Sequence, residues 1–467
     1  MDETTGTSIP QTPHQTSRET PYGGPVVRIR SGAWVIACCW FAITVDGYDL
    51  IVYGTVVPAL IGGEWALTPA QAGQIGSLAL VGMMIGALLA GVLTDRMGRR
   101  RLMIACVAWF TVGMALSAVS PSPEIFGVTR LASGIGLGGL MPTAIAMTLE
   151  YAKPKLRSTA NAIMFSGYSI GGIIASLSAM WILGAAGWRA MFWIGVGLGT
   201  VLLVVVAAAL PESVTFLVGR GRHGEAAALA AKYGIAVPQP LAGDVQRTGV
   251  RALLDRRFAV STVLFWLVVA NGLLLVYGLN TWLAQIMREA GYPLGTALAF
   301  LLALNAGAIL GTPLLGLLAD RIGSRIVVGS MFFGAAAAIL LLMFRFPTPV
   351  LLTLVAVAGA CTIGTQTLLT AFIGGFYPER LRAAGLGWAL GIGRIGAIAG
   401  PLYGGLILST GWGFQANFLA FAVPALFAAI LVLLIRGRGH ADTASVASVG
   451  KEQFGVENTE QGSVQHR

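Results

Sequence analysis

Charge is scarce in this chain. Asp, Glu, Lys and Arg make up 11% of its 467 residues, less than half of the roughly 25% usual for a soluble domain. That shortage, with a mean hydropathy of +0.77, excludes an ordinary water-soluble fold. Cysteine is scarce as well: Cys38, Cys39, Cys106 and Cys361 sit in apolar stretches without disulfide or metal-ligand spacing, so they read as packing residues. The four histidines, His14, His223, His440 and His466, fall in the tails or the central loop. The chain also lacks a phosphate loop or any enzyme constellation, so no metal, no cofactor and no enzyme activity are expected. Residues 1–32 lack the short basic start and small-residue cleavage site of a signal peptide. The first apolar span is therefore expected to stay in the mature chain.

Long apolar runs are what the sequence has in abundance. Stretches long enough to span a bilayer, about 17 to 25 residues each, lie near 34–57, 72–93, 102–120, 125–148, 159–183 and 190–210. Six more lie near 258–284, 297–319, 326–345, 349–374, 384–408 and 416–435. The fold class is thus an all-α membrane protein of twelve transmembrane helices. The expected division is a polar, disordered N-tail over 1–32, a six-helix bundle over 33–211, a basic linker over 212–257, a second bundle over 258–436 and a disordered C-tail over 437–467.

A net charge of +10 invites a nucleic-acid partner, but the placement of the cations argues against one. All Lys and Arg except Arg130, Arg189, Arg288, Arg345 and Arg394 fall in the tails or in the loops on the tails' side. That is the positive-inside pattern with both termini cytoplasmic in a multi-pass cell-membrane protein. It leaves Arg130 and Arg394 within the membrane.

The two bundles are copies. Gly91-Val-Leu-Thr-Asp95-Arg96-Met-Gly98-Arg99-Arg100 recurs as Gly316-Leu-Leu-Ala-Asp320-Arg321-Ile-Gly323-Ser-Arg325, an offset of 225 residues. The same offset pairs Gly82 with Gly307, Gly86 with Gly311, Gly134 with Gly359 and Gly171 with Gly396. Both copies insert the same way up, as expected of repeats related by an axis along the membrane normal. The intramembrane charges are not duplicated: Asp46 matches Asn271, Asp49 matches Leu274, Arg130 matches Val355 and Arg394 matches Ser169. Shared positions point to folding and rocking, unshared ones to a ligand.

The organising stretch is Thr44-Val45-Asp46-Gly47-Tyr48-Asp49-Leu50, with two carboxylates near the middle of the first span. An ionised Asp at the bilayer centre costs roughly 2.5 to 3.5 kcal/mol on insertion scales, so the pair needs a partner, a proton or a wet cavity. Spacing of three residues puts both carboxyls on one helix face, extended by Tyr53. Close carboxyls resist double ionisation, so Asp46 and Asp49 are the expected proton carriers, with the choice between them open. A fixed Asp49–Arg130 pair pinning the first span to the fourth is one reading; an exchangeable pair that frees cationic character for a substrate carboxylate is the other.

Arg394 stands among small and apolar neighbours near mid-depth, and its guanidinium offers planar, bidentate donors to a carboxylate. It is the first candidate anchor and Arg130 the second; a fixed pair with an acid of the other half is the alternative. Glu150, at the inner end of the fourth span, is a candidate for proton exit, or else it meets water and the cations of Arg157 or Arg96–Arg101. Gly91, Asp95, Arg96, Gly98, Arg99 and Arg100, with Asp320 and Arg321, are expected to form an inner latch between the halves. A flat apolar slot draws on Tyr48 and Trp388 among the aromatics, with Trp40, Phe165, Tyr168, Tyr277 and Tyr403 as further candidates. Asn271, Asn280, Asn305 and Gln366 are polar amides expected to face the bundle interior.

The Gly91–Arg101 stretch resembles the signature loop of the major facilitator superfamily. Within it, Asp46-Gly47-Tyr48-Asp49 is similar to the first-helix signature of the aromatic acid:proton symporters, and Arg130-Leu-Ala-Ser-Gly134-Ile-Gly136-Leu-Gly138-Gly-Leu-Met-Pro142 to their fourth helix. Leu67-Thr68-Pro69-Ala-Gln71, Gly278-Leu-Asn280-Thr-Trp282-Leu283 and Gly387-Trp388-Ala-Leu-Gly391-Ile-Gly393-Arg394 extend the likeness, most closely to benzoate transporters. Ala284 departs from the Pro often found after Trp-Leu. The resemblance implies uptake of a small aromatic carboxylate, benzoate or hydroxybenzoate-like, with protons by alternating access, in a monomer. Another cargo, such as a sugar, a non-aromatic acid or a drug, is the first alternative. A non-transporting receptor is the second, although it would want a larger output domain than the linker and tails provide.

Overall fold

The computed structural model describes residues 31–237 and 250–435. The expected disorder of residues 1–32 and 437–467 lies, apart from Ser31 and Gly32, outside the described residues. No strand occurs among those described.

The first bundle contains α1 (Ala33–Gly62), α2 (Pro69–Met97), α3 (Arg99–Ala118) and α4 (Pro123–Tyr151). A helical run Arg157–Ala209 follows, broken at Gly187, where φ is +74°. Glycine alone adopts that left-handed backbone without strain, so the run is two spans, α5 (157–186) and α6 (188–209). The second bundle contains α7 (Ala259–Glu289), α8 (Leu294–Ile322), α9 (Ser324–Leu341), α10 (Thr348–Phe376), α11 (Glu379–Ser409) and α12 (Phe414–Leu434). Twelve spans are therefore present among the described residues.

Sequence chemistry sets several of these ends. Thr68 caps α2 by accepting from the Gln71 backbone N–H while the Gln71 side chain accepts from the Thr68 N–H, a reciprocal box that satisfies two orphan donors. Pro69 follows at the first helical position, where its missing N–H costs nothing. Ser122 and Pro123 start α4 in the same manner. In α10 the ladder widens to a π turn over Ala360–Gly364. Between the bundles, Val214–Gly219 and His223–Tyr233 form linker helices.

Without water to drive association, helices in a bilayer rely on close backbone approach at small residues, and here the repeat reappears in three dimensions. A Cβ on Gly82 would sit 2.1 Å from the Leu131 carbonyl oxygen, and one on Gly307 would sit 1.9 Å from that of Ala356. Likewise Gly134 abuts the Ala79 carbonyl and Gly359 that of Leu304. Both members of each contact keep the same sequence offset. The α2–α4 pair and the α8–α10 pair are thus the same joint built twice. Outward, Leu88, Val128, Trp181, Leu310 and Phe333 are exposed, an apolar belt suited to lipid.

The halves meet mainly on the side away from the linker. Ser77 Oγ of α2 donates to the Ile398 carbonyl of α11 at 2.7 Å, and Gly54 of α1 lies against the Asn280 backbone of α7. Gly172 of α5 faces the Asn305 side chain of α8. On the linker side, Asp95, Arg96, Asp320 and Arg321 are exposed. Neither the Asp95 nor the Asp320 side chain takes part in an ion pair there among the described residues.

Candidate functional site

Asp46 and Asp49 project from the same stretch of α1, yet they meet different neighbours. Arg130 of α4 forms a bidentate ion pair with Asp49: Nη1 donates to Oδ1 and Nη2 to Oδ2 at 3.1 Å, with a further contact from Nη2 to the Asp49 carbonyl at 3.3 Å. Both side chains are essentially fully buried. Tyr53 and Phe192 rings stand 5.8 Å and 5.7 Å from the guanidinium, and the Met114 sulfur closes another side at 4.0 Å. The pair lies wholly within the first bundle and is formed in this state, the contact that both readings from sequence start from.

Asp46 is equally buried, but neither carboxylate oxygen has a hydrogen-bond partner. It lies within electrostatic range of Arg394 of α11, across the interface between the halves. Tyr168 of α5 and Tyr277 of α7 belong to the same cluster, both within range of Asp46 and Arg394. The Tyr168 hydroxyl and Arg394 Nη1 have no partner, while Arg394 Nη2 meets the Met141 sulfur of α4 at 3.6 Å. Buried polar groups are nearly always satisfied; here three unsatisfied groups of complementary chemistry lie in one cluster.

Gly47 explains how α1 brings its carboxylate there. A Cβ at that position would lie 2.1 Å from the Tyr168 carbonyl oxygen, and one on Gly171 would lie 2.1 Å from that of Thr44. Reciprocal glycines let the α1 and α5 backbones touch, which sets the Asp46 carboxyl beside the Tyr168 ring.

The other expected contributors divide. Tyr48 is buried inside the first bundle, its hydroxyl donating to the Met191 carbonyl at 2.7 Å, so it serves α1–α6 packing rather than a cavity wall. Trp388 is 45% exposed and shares a helix arc with Ile395 and Leu406, which are 63% and 61% exposed. At about 100° per residue that arc is turned well away from Arg394. Trp388 packs near Trp266 and looks outward, which corrects the expectation of a slot residue. Asn271 turns its amide onto the Leu267 carbonyl of its own helix at 2.8 Å. Gln366 abuts Gly272, and its amide nitrogen is buried without a partner. Asn305 donates to Asn280 at 3.1 Å, joining α8 to α7.

Of the two readings of Glu150, the structure shows the meeting with the Arg96–Arg101 cations. Glu150 pairs with Arg99, accepts from Ser213 Oγ at 2.7 Å and from the Thr215 N–H at 3.0 Å. Both oxygens thus hold the start of the first linker helix. The inner motif is likewise occupied with the linker in this state rather than with the second bundle. Gly98, at φ +87°, has the Glu212 carboxylate 2.6 Å from where a Cβ would be. That carboxylate accepts from the Arg100 N–H at 3.0 Å. Gly91 has open space around it. Reasoning from sequence missed Glu212 and Met141. A lone acid just after the last span of the first bundle, in a basic linker, was the available signal for Glu212; nothing in the sequence singles out Met141.

Comparisons with known proteins agree with this architecture. The family model of the Major Facilitator Superfamily matches residues 39–311 and 296–461. The benzoate transport protein of Acinetobacter baylyi is 37% identical over 418 residues, 86% of this chain and 89% of its own. The gentisate transporter of Corynebacterium glutamicum is 40% identical over 403 residues, 85% of this chain and 86% of its own. In structure, a D-xylose-proton symporter superposes with a TM-score of 0.69 at 16% identity, covering 87% of this chain and 98% of that one.

Proposed function

The chain belongs to the Major Facilitator Superfamily, and we propose that it takes up a small aromatic carboxylate, of the benzoate or hydroxybenzoate kind, together with protons across the cell membrane. Both termini and the linker are cytoplasmic in this reading, and one chain is the working unit. The observation that carries it is the unpartnered Asp46 carboxylate facing Arg394 across the interface of the two bundles.

Arg394 holds the substrate carboxylate, bidentate as its planar fork allows. Met141, Tyr168 and Tyr277 border the ring, a soft sulfur and two aromatic faces suited to a flat apolar body. Asp46 carries the proton. An ionised carboxylate in a dry site without a donor costs several kcal/mol, and either a proton or the approach of Arg394 relieves that cost. Protonation of Asp46 releases Arg394 for the substrate; loss of the proton toward the linker side draws Arg394 back to the carboxylate and expels the anion. Asp49, paired with Arg130, keeps α1 seated on α4 while the halves rock. One proton per monovalent anion is electroneutral, and each further proton adds about 2.3 kcal/mol per 100 mV. In the outward-open state Asp95, Arg96, Arg99 and Arg100, with Asp320 and Arg321, close the linker side.

The test is uptake of labelled benzoate, 4-hydroxybenzoate and gentisate into proteoliposomes with pH gradient and voltage set separately. Accumulation driven by an inward proton gradient is expected. Uptake of none of the three acids, or equal uptake with and without the gradient, would overturn the proposal.

A further inference from the structure

A large cavity lies away from the Asp46–Arg394 cluster. It encloses about 1400 Å³ between the linker-side ends of α1, α2, α3 and α6 and the two linker helices. Six cations line it: Arg96, Arg100, Arg101, Arg220, Arg222 and Lys232, against two carboxylates, Glu212 and Glu225. Both carboxylates are already engaged. Glu212 accepts from the backbone N–H groups of Arg100 and Ser213, and Glu225 is held by Arg222 at 2.6 Å.

The cations themselves are set in place by structure. Arg220 donates to the Asp95 and Arg96 carbonyls at 3.1 Å and 2.6 Å and stacks over Phe216. Arg100 donates through Nη2 to the Ala207 carbonyl at 2.6 Å while its Nε is buried without a partner. The Arg96 and Arg101 side chains line the cavity and are exposed to it, with no intramolecular hydrogen bond or ion pair among the described residues. Like charges gathered in one concavity repel, and their field focuses counter-ions of the opposite sign.

We infer that this cavity is an anion site for a phosphate-bearing group, separate from the transport pathway. Guanidinium forks match phosphate oxygens bidentately, and arginine dominates the lining. The volume exceeds what a single inorganic phosphate fills and suits a phosphorylated headgroup. Trp34 stands at the rim and is 54% exposed, the position of an aromatic at the membrane–water interface. Cation clusters at that level attract anionic lipid. Occupancy would tie the linker helices to the Gly91–Arg101 loop and so bias the inner gate from a point remote from the substrate.

The experiment uses the purified full chain in neutral detergent at fixed ionic strength. Its unfolding midpoint is followed against dioctanoyl phosphatidylglycerol, dioctanoyl phosphatidylcholine and sodium phosphate. A saturable rise with phosphatidylglycerol and none with phosphatidylcholine is expected, at least tenfold weaker in the Arg96→Gln/Arg101→Gln variant. Those two side chains make no internal bonds, so the variant folds; Arg288→Gln, on the opposite face, keeps the full response. A rise with sodium phosphate at equal or lower concentration would assign the site to soluble phosphate compounds rather than lipid. An equal response to phosphatidylcholine, or an undiminished response in the double variant, would overturn the anion site.

Discussion

Asp46 and Asp49 stand one helical turn apart on α1, equally buried and differently treated. Asp49 is held from two directions by Arg130 inside one bundle; Asp46 has no hydrogen bond and faces a cation that belongs to the other bundle. A buried pair within a rigid body does not change as the halves rock, whereas one that crosses the interface must. The contrast teaches that intramembrane charge alone does not mark a transport site. On the function proposed here, the mark is charge left unsatisfied at the surface between moving parts.

The sharpest way to break this contrast is to neutralise each acid in turn. Asp46→Asn is expected to abolish gradient-driven accumulation while leaving the unfolding midpoint unchanged. Asp49→Asn is expected to lower stability by about 3 to 5 kcal/mol, because Arg130 is left buried and uncompensated. Thermal unfolding and proteoliposome uptake on both variants check this; equal destabilisation, or accumulation by Asp46→Asn, ends the distinction.

Gly47→Ala probes how Asp46 reaches its place. The new methyl would meet the Tyr168 carbonyl, an overpacking that costs about 1 to 3 kcal/mol. Loss of stability together with uptake is expected, and a wild-type profile would show that the α1–α5 contact has slack. Arg394→Lys keeps the charge and loses the fork, so substrate affinity should fall about tenfold, near 1.4 kcal/mol. Arg130→Lys should instead lower the unfolding midpoint with affinity retained, as read by substrate titration of the purified protein.

The smallest effect sharpens the comparison from outside the membrane. A hydrogen bond from Arg189 holds the exposed Glu64 carboxyl below the usual carboxylate range. A lowered value means that any stabilisation is present above the ordinary range and fades as pH falls through the lowered one. Screened pairs of this kind contribute little. Glu64→Gln is therefore expected to leave the unfolding midpoint unchanged at neutral pH, unlike the dry Asp49 pair; a drop comparable to that of Asp49→Asn would contradict the ranking.

Much of the fold was legible. Apolar runs of spanning length and the recurring Gly91 and Gly316 motifs announce two six-helix bundles, because hydrocarbon demands helices and duplicated glycines demand duplicated contacts. The break at Gly187 falls between the fifth and sixth apolar runs, and the joints at Gly82 and Gly307 fall where the repeat puts them. Arg394 and Asp46 stood out as charges that only one copy carries. Side-chain partners were less legible. Glu150 was visible as an acid at an inner helix end facing the Arg96–Arg101 cations, and Arg99 is its partner, but its other two donors, Ser213 and Thr215, come from the linker, and no pattern in α4 encodes them. Trp388 shows the same limit, since an aromatic beside a substrate-like Arg in sequence lies on a different face of the helix.

The sequence by itself determined how many times the chain crosses the bilayer, which segments are copies, and which charges lack a counterpart. Only the tertiary structure decided that Asp49 belongs to Arg130 and Asp46 to the interface. Three residues along a helix turn the side chain by about 60° short of a full circle, and that small difference matters only once neighbouring helices are in place. The close approach of α1 and α5 at Gly47 and Gly171 fixes the rotation of α1, and that rotation sends one carboxylate inward to its own bundle and the other to the boundary between two.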